Sequence, residues 1–275
     1  MTAKTRYDVL SSDRSQYLRV AEDAAKLTIP YLIHQDDNTT GHRNLITPWQ
    51  SVGAKGVVTL AAKLMLSLLP PQTSFFKLQV DDTMLGEIGP EIKSELDLSF
   101  AKIERTILES IAASDDRVVV HQALKHLVVA GNALIYMGDG GLKLYPLNRY
   151  VIDRDGNGNV IEIVTKESIS KKIIEELIPD LNKGEVTQYS DDDTNDCDVY
   201  THIKVYGKKV SWHQEVYDII IPKSQGKAPL KATPWLPLRF NTVDGEGYGR
   251  GRVEEFIGDL KSLEALSQAL VEGSA

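Results

Sequence analysis

Apolar residues recur at helical spacing through the first half of the chain and alternate with polar ones through most of the second. The run from Asp8 to Leu27 predicts a helix, stopped by Thr28-Ile29-Pro30 because a residue before proline is pushed out of the α region. The polar stretch from His34 to Asn44 reads as a loop. Gln50 to Leu69 carries Val52, Val57, Val58, Leu60, Leu64, Met65, Leu66, Leu68 and Leu69, with Ala54, Ala61 and Ala62 in the gaps. Such density predicts a helix buried on most sides. Lys55, Lys63 and the terminating Pro70-Pro71 argue against a membrane span, which needs about 20 apolar residues in a row. Ser74 to Val80 is expected as a strand. Pro90 then opens a helix with Ile92, Leu96, Phe100, Ile103, Ile107 and Ile111 as a one-sided stripe against a core. Ser114-Asp115-Asp116 breaks it and offers caps to an antiparallel partner helix that Gly131 ends.

Beyond Gly131 the period changes. Ala133 to Met137 and Leu142 to Pro146 flank Gly138-Asp139-Gly140-Gly141, a hairpin signal. Tyr150 to Asp153 and Val160 to Thr165 flank a second turn, rich in residues that tolerate positive φ. Lys166 to Ile178 is expected as a short helix, Val199 to Tyr206 and Val210 to Ile221 as a strand pair about Gly207, and Trp235 to Phe240 as a further strand. A last apolar stripe, Val253, Phe256, Ile257, Leu260, Leu263, Leu266 and Leu270, predicts a closing helix capped at Gly273 and in need of a partner. The class is α+β, with helices first, an antiparallel, hairpin-rich sheet in the middle and one helix at the end.

The chain has 275 residues, is 42% hydrophobic and 25% charged, and carries a net charge of -8. That balance argues against a general nucleic-acid binder, which clusters Lys and Arg against phosphates. The single cysteine, Cys197, cannot form an internal disulfide and suits a reducing compartment. No signal-peptide pattern opens the chain. Asp191, Asp192, Asp193, Asp196 and Asp198 read as a solvated loop.

Candidate chemistry is sparse. Asp153, Asp155, Asn157 and Gly158 approach a calcium loop, but Val164 stands where a bidentate glutamate is required and the flanks alternate like strands, so a hairpin turn is expected. Glycines 245, 247, 249 and 251 do not close a dinucleotide register, since Arg250 or Arg252 takes the third glycine's place; a flexible strand-to-helix junction is expected instead, with both arginines available to an acidic neighbour. The six histidines are scattered, and the His121/His126 spacing is not that of a zinc helix. No nucleophile elbow and no nucleotide-binding loop ending in Gly-Lys-Ser/Thr is found. Glu254, Glu255 and Asp259 read as exposed helix acids. No catalytic, metal or cofactor residue is assigned.

The segments from 47 to 78, LKHLVVAGNALIYM (124 to 137), YVIDRDGNGNVIEIVT (150 to 165), VYTHI (199 to 203) and DGEGYGRGRVEEFIGDLKSLEALSQAL (244 to 270) together resemble the portal, or head-to-tail connector, proteins of short-tailed bacteriophages, from about Asp13 onward. The resemblance implies a wing-like α+β region over 1–250, helical over 1–130 and hairpin-rich over 131–250, followed over 251–275 by the beginning of a stem helix, with clip, remaining stem and crown not included. It makes Trp49, Leu60, Leu64 and Leu68 candidate anchors of the wing core, and Gly247, Tyr248, Gly249, Arg250 and Gly251 candidates for the wing-to-stem junction. The implied role is a non-enzymatic subunit of a dodecameric ring at one capsid vertex, made in the host cytoplasm and retained in the virion. Double-stranded DNA would be packaged and ejected through it, and terminase, capsid or scaffold, and tail-adaptor proteins would be its partners. A stand-alone metal-dependent hydrolase using clustered Asp and Glu, and a small interaction module, are the alternatives.

Overall fold

The computed structural model describes residues 1–33, 45–71, 73–79, 90–178 and 196–274. The expected loop from His34 to Asn44 lies outside the described residues, as do Asp191, Asp192 and Asp193.

Helix α1 spans Ala3–Lys26, beginning before the expected Asp8. Two contacts explain the early start: the Thr2 hydroxyl accepts from the Thr5 N–H, and the Ala3 N–H donates to Glu215 Oε2 at 2.6 Å. At the other end the Gln50 side-chain amide donates to the Leu27 carbonyl at 2.7 Å, satisfying a group that the helix itself leaves open. Helix α2, Val52–Leu68, seats Gly53 against that same Leu27 carbonyl, where a Cβ would come within 2.5 Å.

Only Gly53, Val57, Ala61 and Met65 of α2 are buried, one stripe at i, i+4 spacing. The expectation of burial on most sides is therefore corrected: Val52, Val58, Leu66 and Leu68 are exposed, and Leu60 and Leu64 are only partly covered. Composition reports that a face is apolar; it does not report whether the chain has enough surface of its own to cover that face.

Helix α3, Pro90–Ala113, starts at the expected proline, but its stripe has no core within the described chain, and Ile92, Ile103 and Ile107 are exposed. Residues 73 to 79 form no strand, against expectation. Helix α4, Asp116–Ala130, is the central one and buries Ala123, Leu124 and Leu127 with Ala61 and Met65 of α2.

The strands form two sheets where one was expected. In the first, the order is β2-β1-β9, with β1 Asn132–Gly138, β2 Gly141–Tyr145 and β9 Trp235–Arg239, all antiparallel. The second runs β3-β4-β5-β6-β7, from β3 Tyr150–Arg154 and β4 Val160–Ser170 through β5 Asp196–Tyr206 and β6 Lys209–Val216 to β7 Ile219–Ile220, with β8 Gly226–Pro229 also on β6. β4 continues to Ser170 because every residue from Glu162 pairs with β5, so the helix expected from Lys166 is reduced to α5, Lys171–Leu177. Asp196 and Asp198 thus belong to a strand rather than a loop, and Asp198 takes an ion pair from Lys166. Helix α6, Ile257–Ser274, follows a 3-10 turn over Val253–Phe256 and runs through Gly273 instead of ending there.

The main core lies between α1, α4 and both sheets, with Leu134, Leu147, Tyr150, Ile163 and Ile203 almost wholly enclosed. Arg14 sits inside it. Its Nη1 faces the Tyr7 hydroxyl at 2.9 Å and the carbonyls of Leu147, Asn148 and Tyr150 at 3.0 to 3.2 Å, which ties α1 to the entry of the second sheet.

Candidate junction site

The segment from Asn241 to Val253 connects β9 to α6 and lies against the end of α4. Gly131 ends α4 in the left-handed conformation, with φ 74°, and a Cβ there would stand 2.3 Å from the Arg250 carbonyl carbon. Both its geometry and its space therefore demand glycine. Its carbonyl accepts from the Phe240 N–H at 2.9 Å. Gly249 and Gly251 answer from the other side, since a Cβ on the first would come within 2.6 Å of the Gly131 oxygen and on the second within 2.4 Å of the Val129 oxygen.

Asn132 fastens the contact. Its side-chain amide donates to the Gly249 carbonyl at 2.8 Å and to the Ala130 carbonyl at 3.0 Å, while its Oδ1 accepts from the Gly249 N–H at 2.7 Å. Asn241 and Arg250 exchange two backbone hydrogen bonds across the loop. Tyr248 is 3% exposed, and its hydroxyl accepts from the Ile152 N–H at 3.1 Å, reaching the second sheet. Burial pushes that phenol well above its ordinary range. The ring also packs on Tyr17 of α1, with centroids 5.1 Å apart.

Arg250 is bound within its own chain. Its Nε and Nη2 donate to the two oxygens of Glu246 at 2.8 and 2.7 Å, its Nη1 donates to Glu254 at 2.7 Å, and the guanidinium lies over Tyr17. Its hydrogen bonds to Glu246 hold Arg250 protonated, and the same contact keeps the Glu246 carboxyl below its usual range. Arg252 pairs with Glu255 at 2.6 Å. The expected flexible junction with arginines open to a neighbour is thus corrected to a tightly seated one whose arginines are paired. Gly247 differs from the rest, with open space where a side chain would stand.

Of the other candidates, Leu60 and Leu64 pack at the margin of the core, whereas Trp49 is 49% and Leu68 54% exposed. The Trp49 N–H donates to Glu264 of α6 at 2.8 Å, and the Gln50 N–H approaches the other oxygen of that carboxylate. The entry of α2 is therefore tied to the helix beyond the junction. Past that tie α6 has no buried residue among those described, and Leu266 and Leu270 are exposed. Asn132, Arg14 and Glu264 are the residues that the sequence reading missed. A lone Asn ahead of an alternating run, directly after a helix-ending glycine, was the only available sign of the first.

Elsewhere, Glu162 accepts from Arg6 Nε at 2.6 Å and bonds His202. Burial alone would raise its carboxyl, but the hydrogen bonds from His202 and Arg6 outweigh that and lower it. Burial raises the Cys197 thiol. Asp155 spends its carboxylate on the Asn157 and Asn159 N–H groups of its own turn, as a hairpin requires. Among the described residues no three His, Cys, Asp or Glu side chains are grouped to hold a metal ion, and no helix is long and apolar enough to cross a membrane.

The family model described as bacteriophage head to tail connecting protein matches residues 1–275. The chain is 37% identical to the portal protein of Escherichia phage T7 and 37% identical to that of Enterobacteria phage T3, in each case over 99% of this chain and 52% of the relative. It is 31% identical to the portal protein of Enterobacteria phage SP6 over 98% of this chain and 52% of that relative. The chain spans about half the length of the curated relatives it matches.

Proposed function

The chain belongs to the bacteriophage head-to-tail connecting protein family, and from that premise we propose that it supplies the wing and the first part of the stem of a portal subunit. Residues 1–250 form the wing and residues 251–275 enter the stem. The subunit acts as a structural member of a dodecameric ring at the portal vertex, through which double-stranded DNA enters and leaves the capsid, and it performs no catalysis of its own. Terminase, capsid or scaffold, and tail-adaptor proteins are its other partners, and assembly takes place in the host cytoplasm. The observation that carries this reading is the family match along the whole chain. Physical support comes from α2, α3 and α6, which expose apolar faces on a body that is otherwise well packed. Such faces suit a subunit covered by neighbours.

Electron microscopy and native mass spectrometry of the purified protein over a range of concentrations test the reading. Closed rings of one subunit number are expected. A monomer that persists at every concentration, with its apolar faces still exposed, refutes it.

A further inference from the structure

A second feature lies on the far side of the junction. The β3–β4 turn and the loop from Thr242 to Gly247 enclose a polar cleft of about 510 Å³, with Arg154 and Arg239 in its walls. Both guanidiniums reach Gly158: Arg154 Nη1 donates to its carbonyl at 2.9 Å, and Arg239 Nη2 stands 2.9 Å from where a Gly158 Cβ would be. Arg154 makes one more carbonyl contact, to Pro237 at 3.3 Å, and its Nε is buried without an acceptor. Arg239 Nη1 donates to the Glu246 carbonyl at 3.0 Å. Among the described residues neither guanidinium has a carboxylate within ion-pair distance, although Arg6, Arg250 and Arg252 all do. Two like charges thus face one cleft, and burial and the charge of Arg239 both work against protonation of Arg154.

We infer that this cleft receives a carboxylate side chain from a second copy of the chain. Paired guanidiniums with free N–H groups bind an oxyanion at two points, and that relieves the repulsion between them. A carboxylate is favoured over a nucleic-acid phosphate on two counts. The chain carries 39 acidic against 31 basic residues, so a second copy presents carboxylates readily. Asp155 and Asp244 also line the cleft, and their repulsion weighs more heavily against the row of phosphates that a duplex brings than against a single carboxylate. The inference rests on the self-assembly proposed above.

The test uses Arg239→Lys in the full chain, which keeps the charge and places an amine in the cleft. Thr242→Lys on the loop wall serves as a second variant if the first does not fold. Isotopically labelled and unlabelled protein are mixed, assembled, treated with a zero-length carbodiimide coupler and digested. A mixed-mass peptide joining position 239 or 242 to an Asp or Glu is expected, and it should be lost when assembly is prevented. Mixed-mass links elsewhere but none from the cleft overturn this inference and leave the ring intact. Protection of the introduced amine by duplex DNA, with mixed-mass links elsewhere but none from the cleft, overturns it in favour of phosphate. Absence of mixed-mass links anywhere overturns both this inference and the ring.

Discussion

Replacing Asn132 with alanine should loosen the junction before it affects the rest of the fold. The side chain makes three hydrogen bonds, two of them to the same residue, Gly249, and all are buried. Asn132→Ala leaves the Gly249 N–H and carbonyl without partners in a place where Gly131 and Arg239 crowd water out. An orphaned buried polar group costs about 1–3 kcal/mol, and because both groups belong to one residue and relax together, the pair should cost less than the sum, about 2–4 kcal/mol. At this chain length that lowers Tm by roughly 5–15 °C. Native-state hydrogen exchange gives the sharper reading, because the Gly249 amide should exchange about 30- to 1000-fold faster, a factor of ten for each 1.4 kcal/mol. Asn132→Asp separates polarity from size. It retains the acceptor for the Gly249 N–H but turns an oxygen toward two carbonyls, so at neutral pH it should destabilise at least as much as alanine, and protonation should partly rescue it. An unfolding free energy for Asn132→Ala within about 0.5 kcal/mol of wild type, with the Gly249 amide still protected, refutes the latch.

Gly251→Ala and Gly249→Val should each cost about 1–3 kcal/mol by forcing a Cβ against backbone, checked by urea unfolding, whereas Gly247→Ala should be silent. Ala61→Asp, which buries a charge between α2 and α4, should abolish soluble folding, while Leu68→Asp should leave the unfolding free energy within about 0.5 kcal/mol of wild type; equal effects in urea unfolding would contradict the one-sided burial of α2. His126 is enclosed in α4, and burial lowers its pKa from the ordinary 6.5 to about 4. Its folded state holds fewer protons than the unfolded chain between those values, so its contribution is complete above 6.5 and about 3 kcal/mol is lost as pH falls toward 4. Urea midpoints of wild type and His126→Leu at pH 7 and pH 4.5 test this, and a pH slope unchanged by the substitution would count against it.

Local chemistry was legible from sequence where one short stretch decides the outcome. The two-residue turn between β1 and β2, the left-handed end of α4 at Gly131 and the helix start at Pro90 each depend on a few adjacent residues. The division into two sheets was not, because β9 pairs with β1 across about a hundred residues and neither strand's pattern names its partner. Burial of α2 and α3 was misread because an apolar stripe looks the same whether a core or a neighbouring molecule covers it. In the junction the glycines were visible and their purpose was not. Spacing suggested looseness, whereas it is the absence of side chains that lets loop and helix backbones touch.

The bond from the Ala3 N–H to Glu215 bears on how the protein is made. Helix α1 is synthesised before every partner that seats it: Arg6 waits for Glu162, Arg14 for the Leu147–Tyr150 carbonyls and Ala3 for Glu215. At roughly 5–20 residues per second, synthesis from Lys26 to Glu215 takes on the order of 10–40 s. Until that interval ends the seat of α1 is incomplete and Leu10 and Leu18, buried in the folded chain, lack part of their cover, so a nascent chain is most exposed to mispairing with its siblings before β5 and β6 emerge.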